Sequence, residues 1–190
     1  MVLGSGLLMV FAGCAGRQPQ PLREGPAQRS DRRLLSVPFF PDRTDQCGPS
    51  VLASILTYWN HPVDPPTLKK EIYLVQLKGS LPMDLLLAAQ SRGFKAHLYN
   101  GSIEDLESEL RIGHPLIAFI NRGFDFLPIG HFVVITGYDE MRQGLYMHSG
   151  LKKDRFIPFR GFLGDWDKTM RSTLLILPPE RDKESAHAGT

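Results

Sequence analysis

The sequence predicts an α+β fold in which helices come first and antiparallel strands follow. Apolar residues recur at helical spacing across residues 47–112, whereas residues 116–177 contain short β-rich runs that Gly or Pro separates. This segregation argues against an alternating βαβ chain. At 190 residues with 42% hydrophobic content, the chain is long enough for one domain with a substantial core.

Four helices are predicted in the first half of this domain. Pro49 suits the first turn of the first helix, and apolar residues follow at helical spacing as far as Trp59. Gly93 supplies a C-terminal stop for the third helix, and Ser102 resembles a capping residue at the start of the fourth. The predicted helices span residues 48–59, 68–77, 80–93 and 102–112.

Five strands are predicted in the second half. They span residues 116–120, 131–136, 145–148, 155–159 and 173–177. The helix that starts near Cys47 is expected to pack on the strand that starts at His131. The segment from Asn121 to Gly130 precedes that strand, and its Phe, Leu and Pro residues predict either an apolar groove wall or an ordinary core hairpin.

Residues 1–14 predict a lipoprotein-type signal peptide. Its apolar stretch is too short to span a bilayer, and it ends in Phe11-Ala12-Gly13-Cys14, which resembles a bacterial lipobox. In such signals the cysteine is acylated, so Cys14 is the predicted lipidation site. Ala15, rather than Asp, favours an outer membrane, facing the periplasm of a Gram-negative bacterium. A signal cut elsewhere and an uncleaved anchor are the alternatives.

Composition divides the rest of the chain into three parts. Residues 15–34 are rich in Arg, Gln, Pro and Gly and predict a flexible tether. Residues 35–179 carry the periodic patterns and form the predicted working domain. Residues 180–190, which follow Pro178-Pro179, predict a disordered tail.

The charge pattern argues against nucleic-acid and nucleotide partners. The formal net charge is +2, and the sequence has neither interleaved basic and aromatic residues nor a glycine loop that would cradle phosphate. No metal site is expected, because no His or carboxylate spacing recurs and Cys47 has no ligand partner close in sequence. No cofactor is expected either.

Cys47 and His131 are the candidate catalytic residues. Of the two cysteines in the chain, Cys47 is the one in the predicted domain, and it starts an apolar helix. A helix N-terminus stabilises thiolate, which predicts a lowered pKa for this thiol. His131 begins an apolar strand, where an imidazole is held rigidly enough to act as a general base. The plainer alternatives are a buried, unreactive cysteine and a histidine in a structural hydrogen bond.

Three motifs carry a resemblance to a known family. They are Val37-Pro38-Phe39-Phe40-Pro41, Gln46-Cys47-Gly48-Pro49, and Gly130-His131-Phe132-Val133-Val134 with Gly137-Tyr138-Asp139. Together they resemble the papain-like double-glycine peptidases that process bacteriocin leaders, and more closely the stand-alone lipoprotein branch of that family. The resemblance covers nearly all of the predicted domain. It implies a papain-like cysteine peptidase fold, with Cys47 as nucleophile on the central helix, His131 as general base and a C-terminal antiparallel sheet.

The chain departs from that family before the nucleophile. Such enzymes have a Gln a few residues earlier, whose amide helps to hold the oxyanion, and Asp42 stands at the best-matching position. An ionised Asp accepts hydrogen bonds but cannot donate them, so Asp42 helps only when it is protonated. Gln46 is the substitute donor candidate. Alternatively, Asp42 is an ordinary surface turn residue.

The second departure concerns the group that orients the histidine. The family usually places Asp or Asn on the next strand, and Ser149 occupies that position here. A serine hydroxyl can accept a hydrogen bond from the Nδ1–H of His131 and set its tautomer, although it stabilises an imidazolium less than a carboxylate does. Asp139 is another candidate, in an apparent turn at the end of a strand. An ordinary turn serine is the alternative for Ser149.

The predicted function is therefore that of a membrane-anchored cysteine peptidase that cuts a peptide or protein at the bacterial cell envelope. The predicted partners are a peptide or protein substrate and a membrane, to which the N-terminal lipid would anchor the protein. Two alternatives stay open. One is an acyltransferase that uses the same Cys/His pair, and the other is a non-catalytic binding module on a degenerate peptidase scaffold, which Asp42 and Ser149 motivate.

Overall fold

The computed structural model describes residues 32–42 and 46–179. Within these ranges the chain forms helices and one antiparallel sheet, as the predicted fold class requires. No helix among these residues is long and apolar enough to cross a membrane. The elements in chain order are β1 (Arg32–Leu34), α1 (Cys47–Tyr58), α2 (Pro65–Ile72), α3 (Pro82–Gln90), β2 (Lys95–Asn100), α4 (Ile103–Arg111), β3 (Leu116–Asn121), β4 (Gly130–Asp139), β5 (Gly144–Ser149), β6 (Lys152–Pro158), α5 (Phe159–Trp166) and β7 (Ser172–Leu177).

The sheet places β4 among the other strands rather than at an edge. The strand order is β2-β7-β3-β4-β5-β6, and every pair is antiparallel. The first half of β4 pairs with β3, with Ile120 opposite His131. Its second half pairs with β1, with Leu34 opposite Gly137. Its other edge pairs with β5 from Val134 onward, so the strand that carries His131 is held inside the sheet.

The core fixes α1 against β4. Every residue from His131 to Asp139 is buried, so both faces of β4 are covered, and α1 is one of the helices packed on it. Leu52, Ile55 and Leu56 of α1 are at most 1% exposed. Burial of each such side chain contributes roughly 1.5–3 kcal/mol. This packing determines how far the start of α1 lies from the start of β4.

The second predicted helix, 68–77, differs in the structure. Helix α2 begins earlier, because Pro65 fits a first helical turn, and it ends at Ile72. Tyr73 leaves the helix with φ −90° and ψ 123°, and a short 3-10 turn follows at Val75–Leu77. Residues 74–81 therefore form a loop, closed by a backbone bridge between Leu74 and Gly79.

One helix, α5, was not predicted. The strand predicted over 155–159 is β6, which ends at Pro158, and α5 starts at the next residue. Phe162 and Trp166 on α5 are buried and lie 4.8 Å apart between ring centroids. The helix therefore forms because it buries these two rings, although Gly161 and Gly164 weaken its local preference.

Several predictions concern residues outside the described ranges. These are the signal peptide over 1–14 with its lipidation site Cys14, most of the tether over 15–34, and the tail over 180–190. The tether prediction is wrong for its last three residues. They form β1, because their backbone groups pair with the second half of β4, which β3 does not reach.

Candidate active site

Cys47 is the first residue of α1, and its side chain is half-buried. The glycine after it is a steric requirement. A Cβ atom at Gly48 would lie 2.8 Å from Ser80 Oγ and 2.9 Å from Ser80 Cβ, so only glycine allows α1 to start this close to the 74–81 loop. The Ser80 hydroxyl is buried and lacks a hydrogen-bond partner among the described residues. No sequence pattern pointed to Ser80, because the contact joins two separate segments.

The structure brings Cys47, His131 and Asp42 together. Cys47 Sγ, one ring nitrogen of His131 and one carboxylate oxygen of Asp42 all lie within 4.8 Å of one another. All three side chains line a cleft of about 270 Å³, which the loop residues Lys78 and Ser80 border. The sulfur and the imidazole are therefore neighbours in a cleft with room for a reactant.

Burial sets the resting protonation of the Cys47 thiol. Burial raises the pKa of this thiol above its ordinary value of 9.0, and the nearby charge of Asp42 raises it further. Hydrogen bonds from the backbone amides of Phe132, Gly48 and Cys47 lower the pKa, but they do not overcome burial. The prediction of a lowered thiol pKa is thus wrong, because it considered the helix N-terminus and not the desolvation of the sulfur.

The pKa of the His131 imidazole is shifted downward, opposite to that of the thiol. Burial lowers the pKa of His131 from 6.5 to about 4, the charge of Arg122 lowers it further, and that of Asp42 partly opposes this change. A thiol with a raised pKa beside an imidazole with a lowered pKa rests as a neutral pair near pH 7. An imidazole that is unprotonated at rest is competent to accept a proton from the thiol.

Ser149 contacts His131, but through the other nitrogen. The distance from His131 Nε2 to Ser149 Oγ is 3.1 Å, whereas the sequence analysis expected an Nδ1 contact. In the tautomer protonated at Nε2, the serine hydroxyl accepts this hydrogen bond. Nδ1 then keeps its lone pair for the thiol. Ser149 is the last residue of β5, so neighbouring strands of one sheet supply both partners.

Asp42 and Gln46 are linked by a hydrogen bond. The Gln46 backbone N–H donates to Asp42 Oδ1 at 2.9 Å, and the Asp42 N–H donates to the Gly150 carbonyl at 3.0 Å. These bonds hold the carboxylate beside the sulfur. Its oxygens cannot donate while it is ionised. The oxyanion roles suggested for Asp42 and Gln46 remain predictions.

Asp139 does not orient the histidine. It is the last residue of β4, eight residues from His131, which at about 3.3 Å per residue is roughly 26 Å away. Its carboxylate accepts hydrogen bonds from the Arg142 N–H at 3.0 Å and the Tyr146 hydroxyl at 3.3 Å. Asp139 therefore closes the turn between β4 and β5.

His148 is a neighbouring histidine that the sequence analysis did not consider. Its Nε2 lies 3.0 Å from the Val37 carbonyl, and its Nδ1 accepts the Asp154 N–H at 3.1 Å. Burial lowers the pKa of His148. A neutral imidazole protonated at Nε2 satisfies both contacts and joins Val37 to β5. Its position inside an apolar strand, directly before Ser149, was the sequence signal that could have identified His148.

The loop from Asn121 to Gly130 is not a core hairpin. Phe124 and Phe126 stack at 5.4 Å, and Phe126 is 84% exposed. Asn121 Oδ1 accepts the N–H groups of Gly123 and Ile129 at 2.9 and 2.8 Å, which closes the loop. A groove of about 480 Å³ runs beside the loop, and it shares two lining residues with the Cys47 cleft. The shared residues are Phe119 and Gly130.

The expectation of no metal site stays a prediction. It considered sequence spacing alone, and no spacing rule anticipates the cluster of Asp42, Cys47 and His131. Asp42 precedes α1, Cys47 begins α1 and His131 lies on β4, and folding brings one oxygen, one sulfur and one nitrogen of these residues within 4.8 Å of one another.

Comparisons with known proteins identify the class. The fold matches papain-like peptidase structures, and the protein is a cysteine-type peptidase. The profile described as Peptidase_C39 like family matches residues 34–174, so the chain belongs to that family. No curated protein matches the chain.

The chain resembles several solved peptidase structures. A C39-like peptidase from Bacillus anthracis has a TM-score of 0.63 and 22% identity, with 79% of this chain and 99% of that chain covered. A double glycine motif protease from an AMS/PCAT transporter was solved in complex with the leader peptide. It has a TM-score of 0.62 and 25% identity, with 77% of this chain and 94% of that chain covered. The peptidase domain of Streptococcus ComA has a TM-score of 0.61 and 18% identity, with 77% of this chain and 98% of that chain covered.

Proposed function

We propose that this cysteine peptidase uses Cys47 as nucleophile and His131 as general base to cut a peptide or protein at the bacterial cell envelope, where Cys14 anchors it through lipid. The single observation that supports the catalytic part is the grouping of the Cys47 sulfur and a His131 nitrogen within 4.8 Å in an open cleft. The lipid part rests on the sequence that ends in Cys14.

The chemistry follows from the neutral pair. His131 Nδ1 takes the thiol proton as the sulfur attacks the substrate carbonyl, and a carbon–sulfur bond forms. The imidazolium then gives that proton to the leaving amine, and the carbon–nitrogen bond breaks. Water hydrolyses the remaining thioester and restores the thiol. Ser149 holds the imidazole through Nε2 in each step, and the Cys47 backbone N–H is one oxyanion donor.

Relatives suggest the substrate class to test first. One relative was solved with a leader peptide bound and is described as a double glycine motif protease. A peptide with such a motif is therefore the first probe, followed by a peptide library made from cell-envelope proteins. An open cleft rather than a closed cavity suits an extended peptide chain.

Cleavage and its mechanism can be tested together. The full chain is incubated with these peptides with and without an added amine, and products are identified by mass spectrometry. We expect hydrolysed products from wild type and none from Cys47→Ala. The matched control is Ser54→Ala, which removes a buried hydroxyl from the same helix and is expected to keep activity. Amine-capped products would instead indicate acyl transfer, and peptide binding without cleavage would indicate a binding module.

The lipid anchor has its own matched pair of variants. The chain has two cysteines, so Cys14→Ser and Cys47→Ser each remove one thiol. After expression in a Gram-negative host, we expect wild type and Cys47→Ser to carry acyl chains and sediment with outer membranes. Cys14→Ser is expected to lose both properties. Acylation that persists in Cys14→Ser, or an N-terminus at another residue, would contradict the proposed anchor.

A further inference from the structure

The cleft contains three side chains with the donor atoms that a zinc ion prefers. One carboxylate oxygen of Asp42, Cys47 Sγ and one ring nitrogen of His131 lie within 4.8 Å of one another. Oxygen, sulfur and nitrogen donors of these types all bind Zn²⁺, which is a borderline-soft cation. Among the described residues this is the one group of three such side chains.

The distances are compatible with a shared ion after small rotations. Tetrahedral Zn²⁺ with ligand bonds of about 2.0–2.3 Å separates its ligand atoms from one another by roughly 3.3–3.8 Å. Since no pair of ligand atoms exceeds 4.8 Å, each pair must therefore approach by at most about 1.5 Å. Cys47 is only half-buried, so its Sγ can rotate toward the cleft while the Gln46 N–H continues to hold Asp42 Oδ1.

The surroundings of His131 already suit a metal ligand. Metal-bound histidines almost always donate their other ring N–H to an oxygen, which fixes the tautomer. His131 Nε2 lies 3.1 Å from Ser149 Oγ, and this contact leaves Nδ1 free to coordinate. The Ser149 hydroxyl thus supplies the outer contact that a zinc-binding imidazole needs.

Charge and access also favour a cation here. All three ligands line the cleft of about 270 Å³, so a fourth position is open to water, as in zinc sites with three protein ligands. The Asp42 carboxylate and a Cys47 thiolate together carry two negative charges, against the positive charge of Arg122 on the His131 side. Binding replaces the thiol proton with the metal ion and releases that proton to solvent.

We propose that Asp42, Cys47 and His131 bind one Zn²⁺ ion, with water as the fourth ligand, and that the bound ion reversibly blocks the peptidase. The block follows because the ion occupies both the sulfur and the Nδ1 lone pair. That second part rests on the proposed catalytic roles of Cys47 and His131, whereas the binding part does not.

Cobalt provides a readout that does not depend on activity. Co²⁺ is titrated into the untagged full chain after chelator treatment, in the Cys14→Ser background so that Cys47 is the remaining thiol. We expect one equivalent to bind, with a thiolate-to-cobalt charge-transfer band and the visible bands of tetrahedral Co²⁺. Zn²⁺ is expected to displace the cobalt. Binding without the charge-transfer band would overturn the site.

Two variants and a control test the ligand set. Cys47→Ser is expected to lose the band. Asp42→Asn is expected to weaken Co²⁺ binding by at least about tenfold, since even outer contacts are worth about 10–100-fold in metal affinity. Asp165→Asn removes a carboxylate from α5, outside the cleft, and is expected to bind like wild type. Circular dichroism checks that each variant is folded, and unchanged affinity in folded Asp42→Asn would overturn the proposal.

Inhibition is measured separately on a cleaved peptide. We expect Zn²⁺ to stop cleavage over the concentration range in which it binds, and a chelator to restore the rate. Full cleavage with saturated zinc would overturn the inhibitory part. If the cobalt band appears but wild type cuts no peptide, the metal site stands and the proposed function fails.

Discussion

The Asp42 carboxylate lies within 4.8 Å of the Cys47 sulfur and is held there by the Gln46 N–H at 2.9 Å. A negative charge in this position opposes a second negative charge nearby, whether on the thiolate or on the oxyanion of the reaction. The same charge partly offsets the low pKa of His131. One residue thus acts on both members of the Cys/His pair.

Asp42→Asn is expected to make Cys47 more reactive. Because the Asp42 charge contributes to the raised thiol pKa, its removal increases the thiolate fraction. We expect iodoacetamide to label Cys47 about tenfold faster near neutral pH. Labelling is measured by mass spectrometry of the Cys47 peptide, with Asp165→Asn as the charge-matched control. An unchanged or slower rate in Asp42→Asn would show that this charge does not act on the sulfur.

Asp42→Gln is expected to make a faster peptidase. A Gln amide can donate toward the oxyanion, and one such donor is typically worth about 10²–10³ in rate. We expect kcat/KM to rise by at least about tenfold on any peptide that wild type cuts. Asp42→Leu removes the charge without adding a donor, so a smaller gain in this control isolates the donation. Equal rates in both variants would mean that position 42 supplies no oxyanion contact.

Ser149 is expected to act as a positioning residue. Ser149→Ala removes the oxygen that lies 3.1 Å from His131 Nε2, and we expect kcat to fall about tenfold with KM unchanged. Ser149→Asp is expected to restore activity and to raise the pKa of His131, which moves the acidic limb of the pH–rate profile upward. Ser108→Ala, an exposed serine on α4, is the control. A serine without this role would leave both rate and profile unchanged.

Stability is expected to depend on pH through His131. Its folded-state pKa of about 4 lies below its ordinary value of 6.5, so below pH 6.5 the unfolded chain binds more protons than the folded one. The contribution of His131 to the free energy of unfolding is complete above pH 6.5 and declines as the pH falls toward 4. From about pH 7.5 to about pH 5, His131 should remove about 2 kcal/mol from the free energy of unfolding.

Urea unfolding of His131→Gln measures this contribution. The variant should lose about 2 kcal/mol less than wild type over the same pH interval. His148 and other groups add their own dependence, so the difference between the two proteins is the relevant quantity. His97→Gln changes an exposed imidazole on β2 and serves as the control. Identical pH dependence in wild type and His131→Gln would contradict the low pKa of this residue.

Gly48→Ala is expected to destabilise the protein. The added Cβ would meet both Ser80 side-chain atoms at less than 3.0 Å, and such overpacking costs about 1–3 kcal/mol. Gly164→Ala in α5 places a Cβ in open space, and we expect it to stabilise by up to about 1 kcal/mol. Chemical unfolding compares the two substitutions. Equal free energies of unfolding for Gly48→Ala and Gly164→Ala would mean that the 74–81 loop moves away from the added Cβ at little cost.

The parts of the site that were predictable have local sequence signals. Pro49 marks the start of α1, and Gly130 marks the start of β4, so Cys47 and His131 could each be assigned to the end of an element. The contact between Ser149 and His131 followed from the family resemblance. The nitrogen involved did not, because it depends on the rotation of the ring between two strands.

The parts that were missed depend on tertiary structure. Burial of the sulfur determines the sign of its pKa shift, and no local pattern reports that burial. Helix α5 contains two glycines and is formed by burial of Phe162 and Trp166. The cluster around Asp42 and the contact between Gly48 and Ser80 join segments that are distant in sequence. Each of these features arises only after the core has packed.

The strand order also has a consequence for biosynthesis. Among the described strands β7 is the last to be translated, yet it lies between β2 and β3, which leave the ribosome much earlier. Until Ser172–Leu177 emerges, β2 and β3 have no common neighbour and the β3 edge stays unpaired. The nascent chain therefore cannot complete its sheet gradually, and a working cleft is expected only once the final strand has inserted.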